Sequence, residues 1–245
     1  MKYMGSKARI VNDILPLMLD DNYTDFIDVF CGSCSVIQKV PKHYKRIAND
    51  VNKFLIGMWD YLVYNVMEFP RQIPREKYNH FRELYKNRKK NDNNEIYGED
   101  AMCGWIGFMG SFNGRFYDGG YSGHDVNGRD YITENINNTL SQVEDLKGVE
   151  FINYDYKNIP INNKSIIYCD PPYKGVKKYS YSINHDDFWN WCREQTAKGN
   201  KVFISEYNAP DDFVCIWQKQ ITNAMNLTKT TKPVEKLFVH KSQIK

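Results

Sequence analysis

Nine consecutive residues restrict what this chain can fold into: Ser165-Ile166-Ile167-Tyr168-Cys169-Asp170-Pro171-Pro172-Tyr173. The first five are mostly apolar and β-favouring, and read as a short strand buried on both faces of a sheet. The two prolines lack the N–H that a ladder needs, so the chain leaves the sheet at Asp170. Asp170 and Tyr173 therefore fall at the carboxyl end of a central strand, where open α/β sheets bind their ligands. The Asp170 carboxylate and the Pro171 carbonyl offer two acceptors to one amino group, and Tyr173 offers a flat face beside them. An acceptor pair beside an aromatic plate suits a planar amine, such as the exocyclic amino group of adenine. A solvated acid and a packed ring in a proline-rich turn is the ordinary alternative, and the rest of the chain has to decide between them.

A chain of 245 residues accommodates one large domain, or one domain carrying an inserted module. The net charge of +3 excludes a polycation, so any nucleic-acid surface must be a local patch. Six cysteines are too scattered in a chain of this length to form a disulfide scaffold. Cys31 and Cys34 form a C-x-x-C, which invites a zinc or redox reading. No second such pair completes a site and the histidines are dispersed, so no metal is expected. No stretch approaches the ~20 consecutive apolar residues of a membrane span. Asn12 and Asp13 interrupt the N-terminal apolar run, which argues against a signal peptide. The expectation is a soluble protein of a reducing, intracellular compartment, with no membrane partner.

Taken in order, the chain opens with Lys2-Tyr3-Met4-Gly5-Ser6-Lys7, followed by apolar residues at helical spacing: Ile10, Ile14, Leu17 and Val11, Leu15, Met18. Asp25 to Phe30 alternates as a strand and runs into Cys31-Gly32-Ser33-Cys34-Ser35, a small-residue turn that lets backbone approach a ligand at a helix start. It is not G-x-G-x-x-G, so a dinucleotide is not indicated. Tyr44 to Ala48 reads as a second strand ending at Asn49-Asp50. An acid there, about twenty residues after the glycine-bearing turn, is positioned to take the hydroxyls of a ribose. A helix is expected from about 52 to 65, with Phe54, Leu55, Met58, Leu62 and Val66 on its apolar side.

Composition then shifts to a polar, Asn- and Gly-rich stretch. Its basic run, Lys86 to Lys90, reads as a solvated helix end, with phosphate contact as the alternative. Ser111 to Tyr121 interleaves glycines, aromatics, Asn113 and Arg115 without helix or strand periodicity, a mixture suited to reading a groove. Regular α/β pattern returns with a helix over Ile132 to Leu146 and a strand over Val149 to Asn153. Asp155-Tyr156 follows, an acid and a ring suited to an adenine. After Tyr173 come a basic loop over 174–181, a helix over His185 to Lys198 with His185 as a local cap, a strand over Lys201 to Ile204, and an antiparallel pair at the sheet edge.

This order of parts resembles the Dam-like (D12 class, alpha group) DNA adenine-N6 methyltransferases over nearly the whole chain. The resemblance is carried by Gly5-Ser6-Lys7, by Phe30-Cys31-Gly32-Ser33-Cys34-Ser35, by Asp50, by an insert near 66–130, and by Asp170 to Tyr173. Cys34 stands where the family more often has Gly, and Ser6 replaces a frequent second glycine. The resemblance implies an α/β fold: a Rossmann-like, S-adenosylmethionine-dependent methyltransferase sheet of seven mostly parallel strands. It assigns 1–65 and 131–245 to the catalytic domain and 66–130 to a target-recognition insert that binds DNA. It implies transfer of a methyl group from S-adenosylmethionine to N6 of a flipped-out adenine in duplex DNA, leaving S-adenosylhomocysteine. Asp170, Pro171, Pro172 and Tyr173 would be catalytic, with Asp170 also bordering the cofactor. Tyr3, Gly5, Lys7, Asp28, Phe30, Cys31, Gly32, Ser33, Ser35, Asp50, Asp155 and Tyr156 would hold that cofactor. Lys2, Asn113, Arg115 and Arg129 would meet DNA. A cognate restriction endonuclease is a partner that the resemblance admits, in the cytoplasm of a bacterium or a phage-infected host. Methylation of an RNA adenine or a protein amide, and a non-catalytic DNA-binding role, remain the alternatives.

Overall fold

The computed structural model of the chain describes residues 1–90, 96–123, 128–173, 183–221 and 234–244, so the expected basic loop over 174–181 lies outside the described residues. Seven strands form one sheet: β1 (Asp25–Asp28), β2 (Lys45–Asn49), β3 (Val149–Ile152), β4 (Ser165–Cys169), β5 (Lys201–Ser205), β6 (Phe213–Gln220) and β7 (Val234–His240). Their order across the sheet is β3-β2-β1-β4-β5-β7-β6. β1 to β5 pair in parallel, while β7 runs antiparallel to both β5 and β6. The carboxyl ends of β1, β2 and β4 thus share one edge, and that edge carries the site.

Helices cover both faces: α1 (Val11–Met18), α2 (Lys53–Val63), α3 (Arg75–Lys90), α4 (Gly98–Gly110), α5 (Tyr131–Leu140), α6 (Val143–Leu146) and α7 (His185–Ala197). The two-residue period of a strand sends neighbouring side chains to opposite layers. Phe26, Ile166 and Tyr168 join α1, α2, α4 and α5 in one core. Ile27, Ile167 and Cys169 join Phe188, Trp189 and Cys192 of α7 in the other. Every residue of β1 and β4 is buried, as the apolar run of β4 suggests, while the alternating pattern expected for β1 gives way to burial on both faces.

Several expectations are corrected. Leu17 faces outward at 45% exposure, so the apolar stripe of α1 is narrower than its spacing suggests, and Val66, 59% exposed, lies beyond α2, which ends at Val63. The helix expected over Ile132 to Leu146 is interrupted at Ser141-Gln142, where the Gln142 side-chain amide donates to the Ser33 carbonyl at 3.0 Å. Asn184, not His185, caps α7, accepting from the backbone of Asp186 and Asp187. α3 is a helix that the polar composition of its segment concealed. The basic run is exposed at Lys86 and Asn87, as expected of a solvated helix end, but Arg88 is half-buried and committed to acidic partners. Its guanidinium grips Asp100, buried at the start of α4, at 2.6 and 2.8 Å.

α4 lies directly against α2. A Cβ at Gly104 would stand 2.0 Å from the Phe54 carbonyl oxygen, so the two helices meet backbone to backbone. Gly104→Ala is expected to destabilise the protein at or above the upper end of the roughly 1–3 kcal/mol typical of overpacking. An unchanged urea midpoint would contradict this close approach.

Candidate active site

The loop after β1 is laced to the N-terminal segment. The strand ends at Asp28, two residues before the expected Phe30, although the Val29 N–H still reaches the Tyr168 carbonyl at 2.9 Å. The chain then turns through Cys31 to Ser35 with Gly32 at φ +46° and Cys34 at φ +56°. At Gly32 a Cβ would come within 2.8 Å of the Tyr3 ring, so this loop and Tyr3 touch at backbone distance. Ser33 and Ser6 hydroxyls pair at 3.1 Å, and Ser35 Oγ accepts the Lys7 N–H at 3.1 Å. Cys34 occupies left-handed backbone, the conformation that makes glycine the easier residue there. Both loop thiols are buried, and burial pushes Cys31 and Cys34 above the usual thiol range. They are therefore held as neutral fillers. Among the described residues no group of three His, Cys, Asp or Glu side chains gathers where it could hold a metal ion.

Three carboxyl groups stand at the carboxyl ends of β1, β2 and β4. Asp28 is 2% exposed, and its Oδ1 has no hydrogen-bond partner among the described residues. Burial raises its pKa well above the ordinary carboxylate range, and the neighbouring Asp170 and Asp50 add to the effect. Asp50 accepts the Gly32 N–H at 3.2 Å and the Asn52 N–H at 2.9 Å, yet burial still raises it to about 6. Asp170 is also raised by burial, against the pull of Lys7, whose Nζ lies 2.7 Å from Asp170 Oδ2. Converging acids with one orphaned oxygen call for a ligand rich in donors or positive charge.

The turn after β4 presents the expected group. Pro171 is buried and Pro172 half-buried, so the prolines fix the exit of the chain. Lys7 Nζ donates to the Gly5 carbonyl at 3.0 Å and sits 4.9 Å from the centre of the Tyr173 ring. The Tyr173 hydroxyl donates to Glu235 Oε2 at 2.8 Å, and its ring meets Tyr207 edge-on at 4.6 Å. Glu235 and Tyr207 were not legible as site residues. Each lies far along the chain, and only the placement of β7 beside β5 brings Glu235 to this turn.

The other expected residues form two further groups. Tyr156 is buried, 6.0 Å from the Phe30 ring and edge-on to Phe188 at 5.7 Å, and its hydroxyl has no partner among the described residues. Asp155 beside it is exposed and accepts the Lys157 N–H at 3.0 Å. Lys2 meets the turn at Gly114 through its backbone: a Cβ at Gly114 would lie 2.1 Å from the Lys2 carbonyl oxygen. Its Nζ pairs with Glu134 at 3.4 Å, and Arg129 grips the same carboxylate at 2.5 and 2.9 Å. Asn113 lines a small cavity with Lys2 and Tyr131, and Arg115 is exposed on the same turn. The aromatics of this stretch need a correction. Phe116 stacks on Phe108 at 4.4 Å and Tyr117 is 2% exposed, so both build the interior and are not part of a groove-reading surface. Phe112, 48% exposed, remains outside.

The strand order, with five parallel strands and β7 antiparallel between β5 and β6, defines a Rossmann-like methyltransferase sheet. The chain belongs to the D12 class N6 adenine-specific DNA methyltransferases, whose family model matches residues 3–232. Its activity is adenine-specific DNA methylation, which requires DNA and a methyl donor. No curated protein matches the sequence. Among solved structures, the rRNA methyltransferase aviRa from Streptomyces viridochromogenes is similar at 10% identity with a TM-score of 0.43, over 98% of this chain and 87% of that one. No helix among the described residues is long and apolar enough to cross a membrane.

Proposed function

We propose that the protein uses S-adenosylmethionine to methylate N6 of an adenine turned out of duplex DNA at a specific sequence. The observation that carries this reading is the Asp170–Tyr173 turn, an acid and a ring projected from the carboxyl end of a fully buried strand. The cofactor fits the residues present. Asp28 carries a buried oxygen with no partner among the described residues, and Asp50 has a carboxylate suited to ribose hydroxyls, held beside the Gly32 N–H at 3.2 Å. Tyr3, Gly5, Lys7, Phe30, Cys31, Ser33 and Ser35 border the same loop, with Asp155 and Tyr156 toward an adenine ring. S-adenosylmethionine supplies an electrophilic methyl group on a sulfonium sulfur.

The residues of the chain then do the rest. Adenine N6 is a poor nucleophile because its lone pair is delocalised into the ring. Asp170 and the Pro171 carbonyl accept hydrogen bonds from its two N–H groups, which favours a pyramidal nitrogen with its lone pair directed outward, and Asp170 takes up the one proton that the methylated nitrogen sheds. Pro172 holds the turn, and Tyr173 stacks on the base and offsets part of the few kcal/mol spent in unstacking it. Orientation and preorganised acceptors supply most of the rate gain, with no covalent enzyme intermediate.

Residues 66–130 act as the target-recognition insert in this reading, with Asn113, Arg115 and Arg129 meeting DNA and Lys2 joining them. Arg115→Ala is expected to reduce discrimination between cognate and altered sites by roughly 1–3 kcal/mol, as measured by competition binding at fixed salt. Equal weakening on all sequences, with a flatter salt dependence, would instead make Arg115 a phosphate contact. For the cofactor, Asp50→Ala is expected to weaken S-adenosylmethionine binding by about 1.5–3 kcal/mol in calorimetry without DNA. Wild-type affinity should also fall as pH drops through about 6, where Asp50 takes up its proton. Equal affinity in the two proteins would remove Asp50 from the site.

A further inference from the structure

Glu235 is the second residue of β7 and lies beyond the residues that the family model matches. Because β7 is antiparallel to β5, its first residues fall beside the carboxyl ends of the parallel strands. There Glu235 Oε2 accepts the Tyr173 hydroxyl at 2.8 Å and stands 3.9 Å from Lys7 Nζ. Lys7 is 6% exposed and the Glu235 side chain 14%, so both charges are largely removed from water. One buried ammonium is thus set between two carboxylates, hydrogen-bonded to Asp170 at 2.7 Å and within ionic reach of Glu235.

This arrangement has a chemical consequence for the reaction proposed above, on which the inference rests. Asp170 Oδ2, an acceptor needed for the target amino group, is engaged by Lys7. An incoming amine competes with that ammonium, and a buried cation is not given up without a partner to receive it. Glu235 is such a partner, with its Oε2 already 3.9 Å from the same nitrogen. We infer that Glu235 is a positioning residue for methyl transfer: it receives the Lys7 ammonium as Asp170 turns to the target amine, and it fixes the plane of Tyr173 through the ring hydroxyl.

The two tasks separate under substitution. Glu235→Gln keeps an oxygen for the Tyr173 hydroxyl but removes the anion for Lys7. Glu235→Ala removes both, and Tyr173→Phe removes the hydroxyl alone. The assay is single-turnover methylation of cognate duplex, with cofactor affinity and 2-aminopurine fluorescence at the target position measured alongside. Glu235→Gln is expected to lose roughly 10²-fold in rate, the scale of a misplaced reacting group, while cofactor affinity and the fluorescence response stay near wild type. Glu235→Ala should share that loss and also alter the fluorescence as Tyr173→Phe does, with the double variant altering it no further. A Glu235→Gln protein at wild-type rate would overturn the inference. So would fluorescence changes in Glu235→Ala and Tyr173→Phe that add in the double variant. The near-isosteric Gln variant keeps the test open where Glu235→Ala fails to fold. Absence of any methylation by the wild-type protein would count against the proposed reaction itself, not against Glu235 alone.

Discussion

Asp170→Asn is expected to lower the rate of methyl transfer at least about 10³-fold, comparable to or larger than removal of one preorganised group in an oxyanion hole. The substitution keeps the size of the side chain at a turn whose shape is set by Pro171 and Pro172, so the fold should persist. It replaces one carboxylate oxygen by an amide donor that faces the target amino group with a like hydrogen. It also leaves Lys7 with Glu235 as its remaining anionic neighbour. Cofactor affinity should change much less than rate, because Asp50, Asp28 and the loop through Gly32 are untouched. A variant that binds cofactor normally and methylates at near the wild-type rate would remove Asp170 from the chemistry.

The second large effect runs in the opposite direction. Asp28→Asn is expected to stabilise the ligand-free protein while impairing cofactor binding. Asp28 is buried with one oxygen unpartnered, and its pKa is raised well above the ordinary 3.8. The sign follows from linkage. A carboxyl group whose folded pKa is raised contributes its full stability below the unfolded value, and loses it as pH rises through the folded value. At neutral and alkaline pH the unfolded chain gains from ionising Asp28 and the folded chain does not. Asn removes that difference and should add roughly 1–3 kcal/mol there, the scale of one unsatisfied buried polar group. For a chain of this size that is about 2–4 °C in Tm per kcal/mol. The gain should shrink as pH is lowered through the ordinary value of 3.8, below which the acid is protonated in both states. A gain independent of pH, or none at all, would show that the carboxyl group is not strained in the ligand-free protein. Stability given up at a binding residue is the usual cost of a site prepared for its ligand.

Much of this site could be read in the sequence because its parts sit at strand ends, and strand ends are marked by residues that sheets reject. Pro171-Pro172 announced the exit of β4, and Gly32 and Asp50 stood at the turns after β1 and β2. The departure at Cys34 is explained by backbone: a non-glycine residue there occupies left-handed conformation at φ +56°. What stayed hidden depends on contacts between distant segments. Glu235 looks like an ordinary charged strand residue until the antiparallel β7 is placed next to β5. α3 was obscured because a helix half-covered by α4 keeps a polar surface, and Arg88 looked solvated because Asp100 reaches it from another element. Phe116 and Tyr117 illustrate the opposite error. Aromatics among glycines suggested a recognition surface, but Phe116 packs against Phe54 of α2 and Tyr117 joins the same core as Phe26 of β1.

The account turns on one claim, that the Asp170–Tyr173 turn presents adenine N6 to the methyl group of S-adenosylmethionine. The most direct measurement is incubation of the purified protein with duplex DNA and S-adenosylmethionine labelled in the methyl group, followed by enzymatic digestion and nucleoside analysis. The account predicts label in N6-methyladenine within a single sequence context, and none when Asp170→Asn replaces the wild type. Label on another nucleoside, or equal N6-methyladenine from the Asp170→Asn protein, would contradict it.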